Sequence, residues 1–153
     1  MIGLILDVII KPVNTFFLGD FHMDMILRAT QAISDETRLR ILNVILKQEC
    51  CVCEVMQALD ISQTRASRNL KILYDAGYLS MSTDGLYTNY AIKRFKPDDF
   101  HIDLINGVTK EIKKLPVCME DLKRLSSVVR SPEIAESLNR TSRRKPKCNC
   151  NCK

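Results

Sequence analysis

Three cysteines fall within four positions of this 153-residue chain, in the run Glu49-Cys50-Cys51-Val52-Cys53-Glu54-Val55. Thiols packed so closely suit a soft ion. Trivalent arsenic or antimony accepts three thiolates in a pyramid, and cadmium or lead would be held by the same ligands. The metal-ligand candidates are therefore Cys50, Cys51 and Cys53. On a helix turning roughly 100° per residue, Cys51 and Cys53 point about 200° apart, whereas Cys50 and Cys53 share a face. Both sulfurs of Cys51-Val52-Cys53 can reach one centre only if the first helical turn unwinds or the unit lies before the helix proper, so ligation is expected to distort the helix. A helix N-terminus favours thiolates, although Glu49 and Glu54 oppose this locally. The competing reading is packing, because free cysteine is a small and often buried hydrophobe.

A second set, Cys148, Cys150 and Cys152 in Lys147-Cys-Asn-Cys-Asn-Cys-Lys153, alternates on a basic tail expected to be disordered. It could chelate alone, hand metal on, or cap the first set. Isolated Cys118 reads as packing. The total of seven cysteines cannot all pair within one chain, and their spacing resembles ligand spacing more than a disulfide framework, so a reducing cytoplasm is expected. His101 is expected at a surface or interface, and His22 has no ligand context. No general base, nucleophile pair or cofactor loop accompanies the cysteines, so an enzyme is not expected.

Just downstream lies Ser62-Gln63-Thr64-Arg65-Ala66-Ser67-Arg68-Asn69-Leu70-Lys71-Ile72-Leu73. Ile61, Ala66, Leu70, Ile72 and Leu73 can pack inward, while Ser62, Gln63, Thr64, Arg65, Ser67, Arg68 and Lys71 are offered near the helix start. Glutamine can read adenine edges, arginine can read guanine or hold phosphate, and serine or threonine can contact either, so these seven are the DNA-binding candidates. The formal charge of +5 adds nothing to that case. The segment from Leu138 to Lys153 carries six basic residues and no acid, which leaves the body near neutral.

These groups need elements to position them. With 46% hydrophobic residues, no Trp and few aromatics, the composition favours one helical domain. Periodicity predicts a first helix from Met23, and a second capped by Ser34 or Asp35 and running to Lys47. A short third helix spans about Cys51 to Leu59, and a fourth, capped by Ser62, runs to about Ala76 with Gly77 ending it. The third and fourth helices make a helix-turn-helix. Tyr78 to Thr83 and Leu86 to Ile92, around Asp84-Gly85, predict a two-stranded wing. A helix follows from about Asp98 to Leu115, closed by Pro116, with shorter ones at Cys118 to Val129 and Glu133 to Leu138. The predicted fold is mostly α, a winged helix-turn-helix of order α-α-α-α-β-β-α with a helical extension. Its expected parts are an N-terminal extension (1–22), the DNA-binding and dimerisation domain (23–115), the extension (116–138) and the Cys-rich tail (139–153). The apolar start, Met1 to Ile10, is interrupted by Asp7, Lys11 and Pro12, is too short to span a bilayer and lacks a basic leader. No membrane role is expected, and residues 1–22 read as sequence upstream of a natural start at Met23 or Met25.

Ser34-Asp35-Glu36-Thr37-Arg38-Leu39-Arg40-Ile41-Leu42, followed by Cys51-Val52-Cys53-Glu54-Val55 and the segment to Leu79, resembles the arsenic-repressor (ArsR/SmtB) family over 23–115. The resemblance implies a homodimer joined through the first and last core helices, two recognition helices about one DNA turn apart on a palindromic operator, and repression relieved by a bound metal or metalloid. Arsenite-responsive members carry a Cys-Val-Cys that Cys51 and Cys53 match. Where some members have a further cysteine one turn on, this chain has Met56. The expected inducer is arsenite or antimonite, with no cofactor required for folding. The alternatives are a cadmium or lead sensor of the same family, a metal-buffering protein built on the tail, and a thiol redox switch.

Overall fold

The computed structural model describes residues 15–97, 99–130, 132, 133 and 136. The tail cysteines, the first 14 residues and most of the predicted Glu133 to Leu138 helix lie outside the described residues. The elements, in order, are α1 (Thr15–Ile33), α2 (Glu36–Lys47), β1 (Cys50–Cys51), α3 (Val52–Leu59), α4 (Gln63–Asp75), β2 (Leu79–Asp84), β3 (Tyr87–Ile92), α5 (Phe100–Ile112) and α6 (Pro116–Leu125). This is the winged helix-turn-helix expected, with one strand added: β1 joins the wing in a three-stranded antiparallel sheet of order β1-β3-β2.

Local chemistry sets most boundaries. Asp35 caps α2 by accepting the Arg38 N–H at 3.0 Å, and Ser62 caps α4 by accepting the Arg65 N–H at 3.3 Å. Helix α3 stops where Asp60 turns left-handed, at φ 54°, a conformation that aspartate tolerates, and the Ile61 N–H returns to the Met56 carbonyl at 3.1 Å. Gly77 does the same for α4 at φ 84°: the Tyr78 N–H reaches the Leu73 carbonyl and the Gly77 N–H reaches that of Tyr74, both at 3.0 Å. Helix α4 thus feeds directly into the wing.

Three boundaries and the burial of one side chain differ from the sequence reading. Helix α1 begins at Thr15, so the helical periodicity noticed from Met23 is the second part of a longer helix. In the wing, Asp84 pairs with Tyr87, so the two-residue loop is Gly85-Leu86 and not Asp84-Gly85. Positive φ at Gly85 alone of those two is the pattern of a type II′ turn. Pro116 does not merely close α5; it is the first residue of α6, where its missing N–H costs nothing. Ile72, expected inward, is 37% exposed.

The core is built from Ile41, Leu42 and Val44 of α2, Val55, Ala58 and Leu59 of α3, Ala66, Leu70 and Leu73 of α4, and Tyr78. The Tyr78 hydroxyl donates to the Ala29 carbonyl at 3.0 Å, which ties the start of the wing to α1, and burial pushes its pKa up to about 12. Helix α6 lies against α2 and α3. Its Asp121, wholly buried, takes two 2.7 Å hydrogen bonds from the Arg40 guanidinium, which also reaches the Leu59 carbonyl at 3.2 Å. One side chain therefore ties α2 to α6 and to the end of α3.

Breaking such a pair leaves a buried charge without its partner, a loss on the order of 3–5 kcal/mol. Asp121→Ala is expected to lower unfolding stability by about that amount in urea titration, and Arg40→Met with Asp121→Leu is expected to recover most of it.

Candidate thiol site and nucleic-acid interface

Cys50 and Cys51 occupy a two-residue strand, so their side chains leave on opposite faces. Cys50 pairs with Tyr90 of β3 and is fully buried with it in the core; its sulfur lies 3.4 Å from the Gln48 carbonyl. Burial, reinforced by the Glu54 carboxylate, pushes the Cys50 thiol up to about 12. It is a packed thiol, held away from the pair its spacing suggested. Cys51 faces the other way, opposite Asn89.

Cys51 is also the N-cap of α3, with extended backbone at φ −81° and ψ 170°, while Cys53 sits in the first turn. The extended backbone places Cys51 before the helix proper, the second of the two arrangements in which the sulfurs are expected to converge, so the 200° divergence of two helical residues does not apply. The sulfurs of Cys51 and Cys53 are bonded to one another, with Cα atoms 5.4 Å apart. Convergence therefore requires no unwinding of α3. Among the described residues, no three His, Cys, Asp or Glu side chains converge as a metal-holding group, so the thiols brought together are two.

Glu54 organises the joint. Its Oε2 accepts the Cys51 N–H at 2.7 Å and its Oε1 lies 3.3 Å from Nε of Arg130, whose guanidinium stands 5.5 Å from the centre of the Tyr87 ring. Gln57 donates to the Val129 carbonyl at 2.9 Å. The segment after α6 therefore crosses back over α3 and β3. A signal for part of this was present: Cys51-x-x-Glu54 has capping-box spacing, with cysteine where serine or threonine is usual. Arg130 carried none.

His101 corrects another expectation. It is buried, with Nδ1 2.8 Å from Asp99 Oδ1 and Nε2 3.1 Å from the Ala76 carbonyl, and it stacks on Phe95. The two hydrogen bonds that Asp99 accepts, first from the His101 N–H and then from its ring, hold the carboxyl below its usual range. The group fastens the end of α4 to the start of α5. Cys118 is buried, as expected, and burial pushes its thiol up.

On α4, Ala66, Leu70 and Leu73 are wholly buried, which turns Thr64, Arg65, Arg68 and Lys71 to solvent, with Gln63 and Ser67 half-buried and Ser62 exposed at the cap. Arg65 donates to the Thr37 hydroxyl at 2.7 Å, and Lys71 pairs with Asp75 at 2.8 Å. Asn69, buried on the same helix, braces the Arg65 carbonyl at 2.8 Å. The arrangement presents a cationic, hydrogen-bonding helix face beside a β-hairpin.

The family profile described as "Bacterial regulatory protein, arsR family" matches residues 35–80, which run from the α2 cap into β2. Among curated relatives, the chain is 38% identical to a probable mercury resistance operon repressor of Streptomyces lividans, over 46% of this chain and 57% of that one. It is 28% identical to an arsenical resistance operon repressor of Bacillus subtilis, over 53% and 70% respectively. It is 30% identical to the cadmium resistance transcriptional regulatory protein CadC of Listeria innocua, over 52% and 67%. The chain belongs to the ArsR family.

ArsR-family proteins are regulators and not enzymes. The fold agrees: the solved homodimeric winged helix-turn-helix domain of Mb0332 from Mycobacterium bovis superposes with a TM-score of 0.50 at 21% identity, covering 62% of this chain and 81% of that one. The chain spans little more than half of the length of the Streptomyces relative. Among the described residues, no helix is long and apolar enough to cross a membrane.

Cys50 supplies the test of the local geometry. Its neutral thiol adds to stability fully below its ordinary pKa near 9.0, and that contribution is lost as pH climbs from there toward about 12. In the reduced native protein at pH 8, iodoacetamide is expected to spare Cys50 and to modify it only after denaturation, as read by peptide mass spectrometry; rapid native labelling would show the thiol to be accessible.

Proposed function

We propose that this ArsR-family chain is a cytoplasmic homodimeric repressor that holds a palindromic operator and releases it when arsenite or antimonite is captured by the reduced Cys51-Cys53 pair. The observation that carries the reading is the convergence of those two sulfurs at the joint between the wing and α3. An atom inserted between them fixes their separation. It thereby sets the angle of α3, which packs on α4, relative to β3.

The DNA side is supported by the exposed Thr64, Arg65, Arg68 and Lys71 on a helix whose opposite face is core. A helix so exposed can enter a major groove, with Gln63 and Arg68 at base edges and Ser62, Thr64, Arg65, Ser67 and Lys71 at phosphates or bases. Dimerisation is supported by α1, where Met23 and Leu27, four residues apart and so on one face, are 58% and 50% exposed. Relatives named for arsenic, cadmium and mercury resistance agree with a thiophilic effector. The choice of arsenite follows from the matched Cys-Val-Cys. Cys148, Cys150 and Cys152 remain candidate donors or a buffering tail; deleting Lys147 to Lys153 separates these, since loss of release marks a sensing role and loss of metal capacity alone marks buffering.

A second reading, favoured by the bond between Cys51 and Cys53, is a thiol redox switch on the same pair. The effector distinguishes the two readings.

Fluorescence anisotropy with a labelled inverted repeat from the chain's own upstream region tests both. The reduced protein is expected to bind, and arsenite to lower its affinity about 5- to 150-fold, the usual scale of coupling between sites. Cys51→Ser and Cys53→Ser should each bind DNA normally and ignore arsenite. Release by peroxide alone would transfer the assignment to the redox switch, and release by cadmium but not arsenite would transfer it to the cadmium class.

A further inference from the structure

The thiol site holds two sulfurs, yet a trivalent arsenic or antimony centre has three positions to fill. Cys50 faces the core on the other side of the strand, and Met56 is packed against that core one turn further along α3. Among the described residues, the third partner must be sought among groups on the Cys51 side of the sheet.

Asn89 is that group. It is the residue of β3 directly opposite Cys51, and residues so paired place their side chains on one face with Cβ atoms about 4.5–5.5 Å apart. It is 4% exposed, and its Oδ1 has no hydrogen-bond partner among the described residues. A buried amide oxygen left unpaired is costly, and such groups in native proteins are ordinarily satisfied. The neighbourhood is built to be closed: Tyr87 lies two residues along β3 on the same face, and Arg130 covers its ring while pairing with Glu54. Cys51 and Cys53 are themselves 2% and 1% exposed. Among the described residues, an acceptor without a donor thus stands beside a dithiol without a third sulfur.

We propose that Asn89 belongs to the effector site: the bound metalloid retains one hydroxyl, and Asn89 Oδ1 accepts its hydrogen bond. This rests on the arsenite or antimonite reading above. The chemistry balances. A phosphine first reduces the disulfide, giving up two electrons and leaving as its oxide while water supplies the oxygen and the two protons of the two thiols. Arsenous acid, with three As–OH groups, then forms two S–As bonds as two As–O bonds break, each departing hydroxide taking one thiol proton and leaving as water. The product is a dithiolate arsenic with one remaining As–OH, which supplies the donor that the unpaired Asn89 Oδ1, an acceptor, lacks. The same balance holds for antimonite.

Methylarsonous acid is the discriminating probe, because it loses both hydroxyls to the two thiols and leaves a methyl group where arsenite leaves a hydroxyl. With the full chain reduced by a phosphine, Asn89→Leu is expected to weaken arsenite binding about tenfold, the equivalent of one hydrogen bond, while leaving methylarsonous acid binding and DNA affinity unchanged. Equal weakening of both arsenicals, or of neither, overturns the role assigned to Asn89. Arsenic K-edge absorption on the arsenite-loaded wild-type protein tests the claim without any variant. Two sulfurs and one oxygen around arsenic are expected; three sulfurs overturn it. A protein that binds no arsenic in that experiment contradicts the proposed effector itself, an outcome separable from a wrong third position.

Discussion

The constraint on which the structure turns is a change of backbone conformation at one residue. Cys51 is the last residue of a strand paired to the wing and also the cap of α3, so its φ and ψ must be extended while those of Val52 are helical. Glu54 enforces this by taking the Cys51 N–H, and Arg130 compensates the charge that Glu54 brings into the interior. From that corner follow the opposite fates of neighbouring thiols. Cys50 is sent into the core, and Cys51 is turned toward Cys53 across the first turn. On the proposed function, the corner is where chemistry enters the fold.

What lies beyond the corner is rigidly connected to it. Helix α3 ends at a left-handed Asp60 and passes within two residues into the Ser62 cap of α4. The Leu59 carbonyl at that junction is gripped by Arg40, which is itself locked to the buried Asp121. The far end of α4 is pinned by Gly77, by Tyr78 anchored on α1, and by His101 on the Ala76 carbonyl. Close-packed elements fixed at both ends move as bodies and do not deform continuously. On the proposed function, a small change in the spacing of two sulfurs reorients α4 without melting any helix on the way.

Much of this was legible from residue types. Asp35, Ser62 and Gly77 stand where their capping chemistry puts them, and the alternation of core and solvent residues along α4 was readable apart from half-buried Gln63 and Ser67, buried Asn69 and exposed Ile72, whose side of the helix borders open space by Arg28 and Arg38. The cysteine cluster marked the site. What misled was a rule of periodicity carried one residue too far, because no local signal says that Cys51 belongs to a strand: β1 exists only through its pairing with β3, some 40 residues away in the chain. The same holds for His101, whose burial depends on Phe95, Tyr78 and the end of α4 together. Arg130 and Asn89 were invisible for that reason too. Their roles come from cross-strand register and from a segment folding back, neither of which periodicity encodes.

The central claim is that metalloid capture leaves α3 helical and acts on the corner between the wing strand and the helix. Hydrogen–deuterium exchange of the reduced protein with and without arsenite tests it directly. The account predicts unchanged protection along Val52–Leu59, with altered exchange confined to Cys50 and Cys51, their β3 partners and the recognition helix. Loss of protection in the first turn of α3 on arsenite binding would contradict it.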